Sequence, residues 1–105
     1  MSVYFKEVYD VQLEKMGEFA EFIPEMVDAI KKMNKPYVKN WTIYQSKYRM
    51  GRYIEVWTMS EQANVDMLFE SAFTDPHFKH IPPKLFEFVV PGSHSIEFLT
   101  KAGSI

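Results

Sequence analysis

Residues 3–13, VYFKEVYDVQL, alternate, with Phe5, Glu7, Tyr9 and Val11 on one face and Tyr4, Lys6, Val8 and Asp10 on the other. This period of two predicts a strand. From about Glu14 to Met33 the period lengthens. Met16, Phe19, Ala20, Ile23, Met26, Val27 and Ile30 form an apolar stripe at helical spacing, with Glu18, Glu21, Glu25, Asp28 and Lys32 opposite it. Pro24 lies off that stripe and inside the helix, so a kink or break is expected there. Asn34-Lys35-Pro36 ends the helix. Residues 37–47 and 52–59 read as two more strands, joined by a short hairpin in which Gly51 supplies a positive φ.

Ser60 then reads as the cap of a second helix, with Glu61 near its positive end. Val65, Leu68, Phe69, Ala72 and Phe73 are its apolar stripe. The segment SAFTDPHFKHIPPKLFEF, residues 71–88, interrupts this helix twice. Asp75-Pro76 reads as a cap followed by a first helical residue, and a new turn begins there. Ile81 precedes a proline and is disfavoured in a helix. Pro83 is expected to open a last short helix to Phe88, stopped by Pro91-Gly92. Between the breaks Phe78, Ile81, Leu85 and Phe86 are placed to pack over one end of the sheet and wall a pocket with the second helix. Residues 94–100 alternate again as a fourth strand. The order β-α-β-β-α-β predicts one α+β domain over residues 1–105. It is ferredoxin-like, a four-stranded antiparallel sheet with helices on one face.

Both faces of the predicted strands carry large apolar groups. Trp41 and Ile43 stand opposite Val38 and Tyr44, and Tyr53 and Trp57 opposite Ile54 and Val56. An antiparallel sheet with one wet face should alternate more cleanly. The expectation is a two-fold homodimer joined sheet to sheet, with the tail after the fourth strand reaching the partner.

The 105 residues, 47% hydrophobic and 25% charged, suit one soluble domain. Aromatic residues make up 16%, more than a small core needs, which points to a cavity or an interface. The net charge of −2 leaves no general basic field, and the basic patch Lys47 to Arg52 falls on the hairpin tip, so nucleic acid is not an expected partner. With no cysteine there is no disulfide, thiolate nucleophile or thiolate metal site. That usage fits a reducing cytoplasm. No apolar run is long enough to span a bilayer, and the N-terminus lacks a signal-peptide core, so no membrane partner is expected.

Three groups of residues could carry chemistry. His77 and His80, three apart on a turn, could serve as a proton donor and acceptor near neutral pH. They could equally be an exposed residue and a packing residue. With His94 they could form a metal site on paper, but no complete ligand set is present, and no metal is expected. Glu7 and Glu55 sit mid-strand among aromatics, as Phe5-Glu7-Tyr9 and Tyr53-Glu55-Trp57. On a cavity face either could be a general base with a raised pKa. The structural alternative pairs them with Lys6, Lys39 or Arg52. Trp41, Tyr44 and Trp57 could stack on a planar ligand or simply fill a core.

Three stretches resemble the dimeric α/β-barrel superfamily, the antibiotic-biosynthesis-monooxygenase-like and NIPSNAP-like proteins. They are Glu14 to Phe22 (EKMGEFAEF), Glu55-Val56-Trp57 followed by Ser60-Glu61, and Asp75-Pro76-His77-Phe78. The resemblance runs over about residues 3–100. It implies a homodimer whose sheets form a barrel, and a pocket between sheet and helices. It also implies binding of a small aromatic or quinol-like molecule, with oxygenation that needs no cofactor because the substrate supplies the electrons. Haem-degrading relatives use an Asn on the first strand, a Trp in the second helix and a His near its end. Here Tyr9 and Asp10 stand near the first position and Asp66-Met67 near the second, and only His77 or His80 matches the third. The candidate residues for such a pocket are Glu7, Tyr9, Trp41, Tyr44, Glu55, Trp57, Phe69 and Phe73. The alternative is a non-catalytic ligand-binding or assembly module of the same fold, and a third reading is haem- or metal-dependent chemistry at His77 and His80. A cavity of about 300 Å³ or more reaching a histidine or carboxylate would favour catalysis. Filling by Phe69, Phe73 and Phe78 would favour the module.

Overall fold

The inward residues of the strands fix the architecture. In the computed structural model, which describes residues 2–60 and 65–105, β1 (Ser2–Asp10) pairs antiparallel with β3 (Arg52–Ser60) and with β4 (Ser95–Thr100). β3 pairs in turn with β2 (Val38–Gln45), giving the order β2-β3-β1-β4. This is the expected ferredoxin-like plan. The β1–β3 register sets Phe5 against Trp57, Glu7 against Glu55 and Tyr9 against Tyr53. Because side chains alternate across a strand, all six point to one face. Phe5, Tyr9, Tyr53, Trp57 and Met59 are buried there.

Helix α1 (Met16–Met33), entered through a short 3-10 turn at Leu13–Lys15, lies over that face. Its buried side is Phe19, Phe22, Met26, Ala29 and Met33, with Ile23 and Ile30 packed at the margin. The expected stripe was turned slightly. Ala20 is exposed, and Phe22 is inside because its ring stacks on Phe88 at 5.3 Å. Pro24 does not break α1. Pro24 and Ala20, whose carbonyl loses its partner, are both exposed, so water can satisfy what proline removes. Asn34 closes the helix in a left-handed conformation, φ 41°, its N–H donating to the Ile30 carbonyl.

Helix α2 (Val65–Thr74) stops as the sequence predicts. The Asp75 carboxylate accepts the His77 backbone N–H at 2.8 Å and meets Lys35 at 3.4 Å, which ties the turn to the end of α1. The next helix, α3, runs Ile81–Phe88, beginning two residues before the expected Pro83. Prolines are tolerated in a first helical turn because those N–H groups have no intrahelical partner. Phe78, Ile81 and Leu85 are buried over the sheet as expected, whereas Phe86 is half exposed at the rim. Ser60 is the last residue of β3, and its expected role as a helix cap falls outside the described residues. The expected roles of Glu61 and of the Val65 side chain fall outside the described residues.

The opposite sheet face carries Tyr4, Val8, Ile54, Val56, Tyr44 and Leu99, and none of the described helices packs on it. Among the described residues, no helix is long and apolar enough to cross a membrane. At the hairpin tip Gly51 has φ 86°, and Arg49 and Arg52 both bond the Asp10 carboxylate at 3.0 Å. These contacts, Arg52 foremost, hold the Asp10 carboxyl below its ordinary range.

Candidate functional site

Between the sheet and the three helices lies a cavity of about 120 Å³. Phe5, Trp57 and Ile96 form part of its floor, Met26 and Ile30 one side, and Leu68, Phe69, Ala72, Phe78, Ile81 and Leu85 its roof. Phe73 and Phe86, both at least half exposed, stand at its mouth. The wall is nearly all carbon. Glu7, Glu55 and His94 lie at one end of it.

Glu55 is 3% exposed, and among the described residues it has no cationic partner. Two neutral donors hold it: Tyr9 Oη donates to Oε2 at 2.7 Å and Trp41 Nε1 to Oε1 at 2.9 Å. Burial, reinforced by the charge of Glu7, pushes the Glu55 carboxyl up to about 7 against the pull of these donors. Burial does the same to Glu7, also to about 7. The Tyr9 phenol is pushed far up, first by burial and then by Glu55, so it stays a neutral donor. Trp57 Nε1 is buried in the same corner. It stands near enough to Glu55 to favour the carboxylate, yet it closes no hydrogen bond of ordinary distance and angle.

His94 completes the group. The segment between α3 and β4 is stitched to the end of β1. Val11 bridges Val89, the Val90 N–H donates to the Asp10 carbonyl, and Ser93 Oγ accepts the Asp10 N–H. Gly92, φ 82°, turns the chain between them. The Val8–Ser95 pairing then carries His94 inward beside Tyr9, on whose ring it stacks at 6.4 Å. Its Nε2 lies 2.5 Å from Glu7 Oε2, and its ring meets Phe86 edge-on at 5.1 Å. Burial lowers the His94 pKa, partly opposed by the charge of Glu55. A neutral imidazole beside a reluctant carboxylic acid leaves one proton to be shared across that contact.

Of the residues picked from sequence, Glu7, Glu55, Trp57, Phe69 and Phe73 line the cavity, and Tyr9 and Trp41 hold Glu55. Tyr44 is on the opposite sheet face and 56% exposed. His77 and His80 are exposed on the outer side of the 76–80 turn, away from the cavity, with His80 Nε2 3.5 Å from Glu25. Neither glutamate pairs with Lys6, Lys39 or Arg52. Among the described residues no three His, Asp or Glu side chains gather to hold a metal, so His77, His80 and His94 do not form one centre. His94 as a cavity residue was overlooked. The signal was the alternation His94, Ile96, Phe98, which shares a face with Tyr9, Glu7 and Phe5.

Similarity to solved structures bears on this geometry. SnoaB, a cofactor-independent oxygenase from Streptomyces nogalater, superimposes with a TM-score of 0.73 over 99% of this chain and 96% of that one, at 14% identity. An antibiotic biosynthesis monooxygenase gives 0.75 over 96% and 99%, at 8% identity. A NIPSNAP family protein from Agrobacterium tumefaciens gives 0.74 over 96% and 86%, at 14% identity. The chain shares their fold. At such identities the likeness is one of fold alone. No protein-family model and no curated protein matches the sequence.

Proposed function

We propose that the cavity binds a small aromatic molecule of about one ring and that Glu55, with Glu7, removes a proton from it to start a cofactor-independent oxygenation. The observation that carries this reading is a buried carboxylate pair without a cation, at the end of an apolar cavity and titrating near neutrality. A general base works best with a pKa near the working pH. The shared fold with a cofactor-independent oxygenase supports the reaction class. The volume limits the ligand, since apolar cavities of ~150 Å³ take a benzene-sized guest. For a hydroquinone, one oxygen atom of O₂ would enter the ring and the other leave as water, giving a hydroxyquinone, with all electrons from the substrate.

A second reading is favoured by that same volume, which is below the ~300 Å³ of common ligand clefts. In it the protein binds a ring without transforming it. Oxygen uptake with 1,4-hydroquinone, with ¹⁸O₂ incorporation read by mass spectrometry, separates the two. Catalysis predicts label in the product and a loss of at least about 100-fold in Glu55→Gln. Saturable binding with no uptake above buffer leaves the binding module. In either case we infer a homodimer joined through the uncovered sheet face, supported by the apolar groups on that face.

A further inference from the structure

We propose that Glu7 and His94 form a proton exit that connects the buried Glu55 to solvent. This rests on the reading of Glu55 as the base. A base enclosed on every side must return its proton to water before it can act again. Glu55 has no direct route, because it is 3% exposed and both its oxygens are engaged by Tyr9 and Trp41. Glu7 is its cross-strand partner, and side chains so placed have Cβ atoms about 4.5–5.5 Å apart. Glu7 in turn touches His94, whose side chain is 26% exposed. Exposure thus rises stepwise from Glu55, through Glu7 at 15%, to His94.

The chemistry suits each step. A proton taken by Glu55 passes to Glu7 and on to His94 Nε2, and the imidazolium releases one from Nδ1 to water. One proton moves and both carboxyls return to their starting forms; His94 is left as its Nε2–H tautomer, and exchange of its ring protons with water restores the Nδ1–H form. Burial raises both carboxyls to about 7, so Glu55 and Glu7 hold the proton with similar strength, and it lowers His94, so the imidazole gives the proton up to water readily. Among the described residues no lysine or arginine competes for the proton. The groups that face the relay are Tyr9 on β1, Tyr53 on β3 and the Trp41 indole on β2; burial holds both phenols above their ordinary pKa and therefore neutral. The helices present only apolar side chains to the cavity, and Phe86 of α3 covers His94.

Two measurements test it. In wild-type protein, the imidazole ¹⁵N and the Glu carboxyl ¹³C signals are followed against pH. The His94 nitrogens are expected to show a second inflection that coincides with the carboxyl titration and disappears in Glu55→Gln. A His94 that titrates in one step, unmoved by the carboxyls, overturns the relay. In the second measurement, oxygen uptake with 1,4-hydroquinone is compared for wild type and His94→Gln. A fall of about tenfold or more, with little change in KM and recovery on adding free imidazole, is expected. Equal loss with no recovery from a folded variant overturns it. If wild type takes up no oxygen, the proposed reaction fails, and the wild-type titration still decides the relay.

Discussion

Glu7 and Glu55 stand directly opposite each other across the β1–β3 ladder, both turned under the helices, and neither meets a lysine or an arginine. Like charges in that position destabilise a sheet. The arrangement persists because the pair need not carry two charges at once.

The pH dependence of stability follows from this. Both folded carboxyls titrate near 7, above the ordinary value of 4.5. The folded chain therefore holds protons that the unfolded chain gives up between those values. Their contribution is fully present below about pH 4.5 and is lost as pH rises through about 7. Urea unfolding should give a lower stability at pH 8 than at pH 5, by on the order of 1–3 kcal/mol. In Glu55→Gln the drop should shrink markedly. The Tyr9 hydroxyl can turn to accept from the new amide, so the variant should fold.

The two tryptophans should respond differently. Trp41→Phe strips a donor from Glu55 Oε1 and should raise the Glu55 pKa further. Trp57→Phe removes a buried N–H that has no hydrogen bond, so the loss of packing is partly offset. Carboxyl ¹³C titration of the two variants should show the larger upward shift for Trp41→Phe.

Filling the cavity should separate binding from folding. Ala72 is partly buried on the roof, beside the void. Ala72→Met should occupy the space and weaken 1,4-hydroquinone binding at least about tenfold, at a stability change within about 1.5 kcal/mol. Calorimetric titration and thermal melts read the two effects.

Gly51 and Gly92 both have positive φ, but only one is crowded. A Cβ at Gly51 would fall 2.9 Å from the Val11 carbonyl oxygen, while one at Gly92 meets open space. Gly51→Ala should cost about 2–3 kcal/mol and Gly92→Ala about 1 kcal/mol, by chemical denaturation.

The dimer proposal is settled by mass. Light scattering after size exclusion should give about twice the 12.4 kDa chain, and Val56→Lys on the uncovered face should give the monomer. A wild-type monomer removes the proposal.

Much of this arrangement was legible beforehand. The period-two pattern of β1 and β3 put Glu7 and Glu55 among inward aromatics, and the register that opposes them completes what the pattern began. The break at Asp75-Pro76 foretold a roof in two pieces, whereas Pro82-Pro83, expected to break the helix again, fall in the first turn of α3. Less legible was the side of that roof on which the histidines fall. His77 and His80 share a turn with the buried Phe78 and Ile81, and a one-residue difference in helical phase decides between cavity and water. His94 opens the alternation of the fourth strand, but which face that alternation presents to the helices depends on the β1–β4 register, which sets Phe98 against Phe5 and Ile96 against Glu7.

In the cavity, the acidic end and the roof come from different parts of the chain. Its floor and its acidic end come from strands β1 and β3 and the entry to β4, and its roof from residues 65–88. Substitutions at Phe69, Ala72 or Phe73 can therefore reshape what fits without touching the hydrogen bonds that hold Glu55. Guest size and acid–base chemistry can change independently, so one scaffold could accept a succession of different small molecules while its proton-handling machinery stays constant.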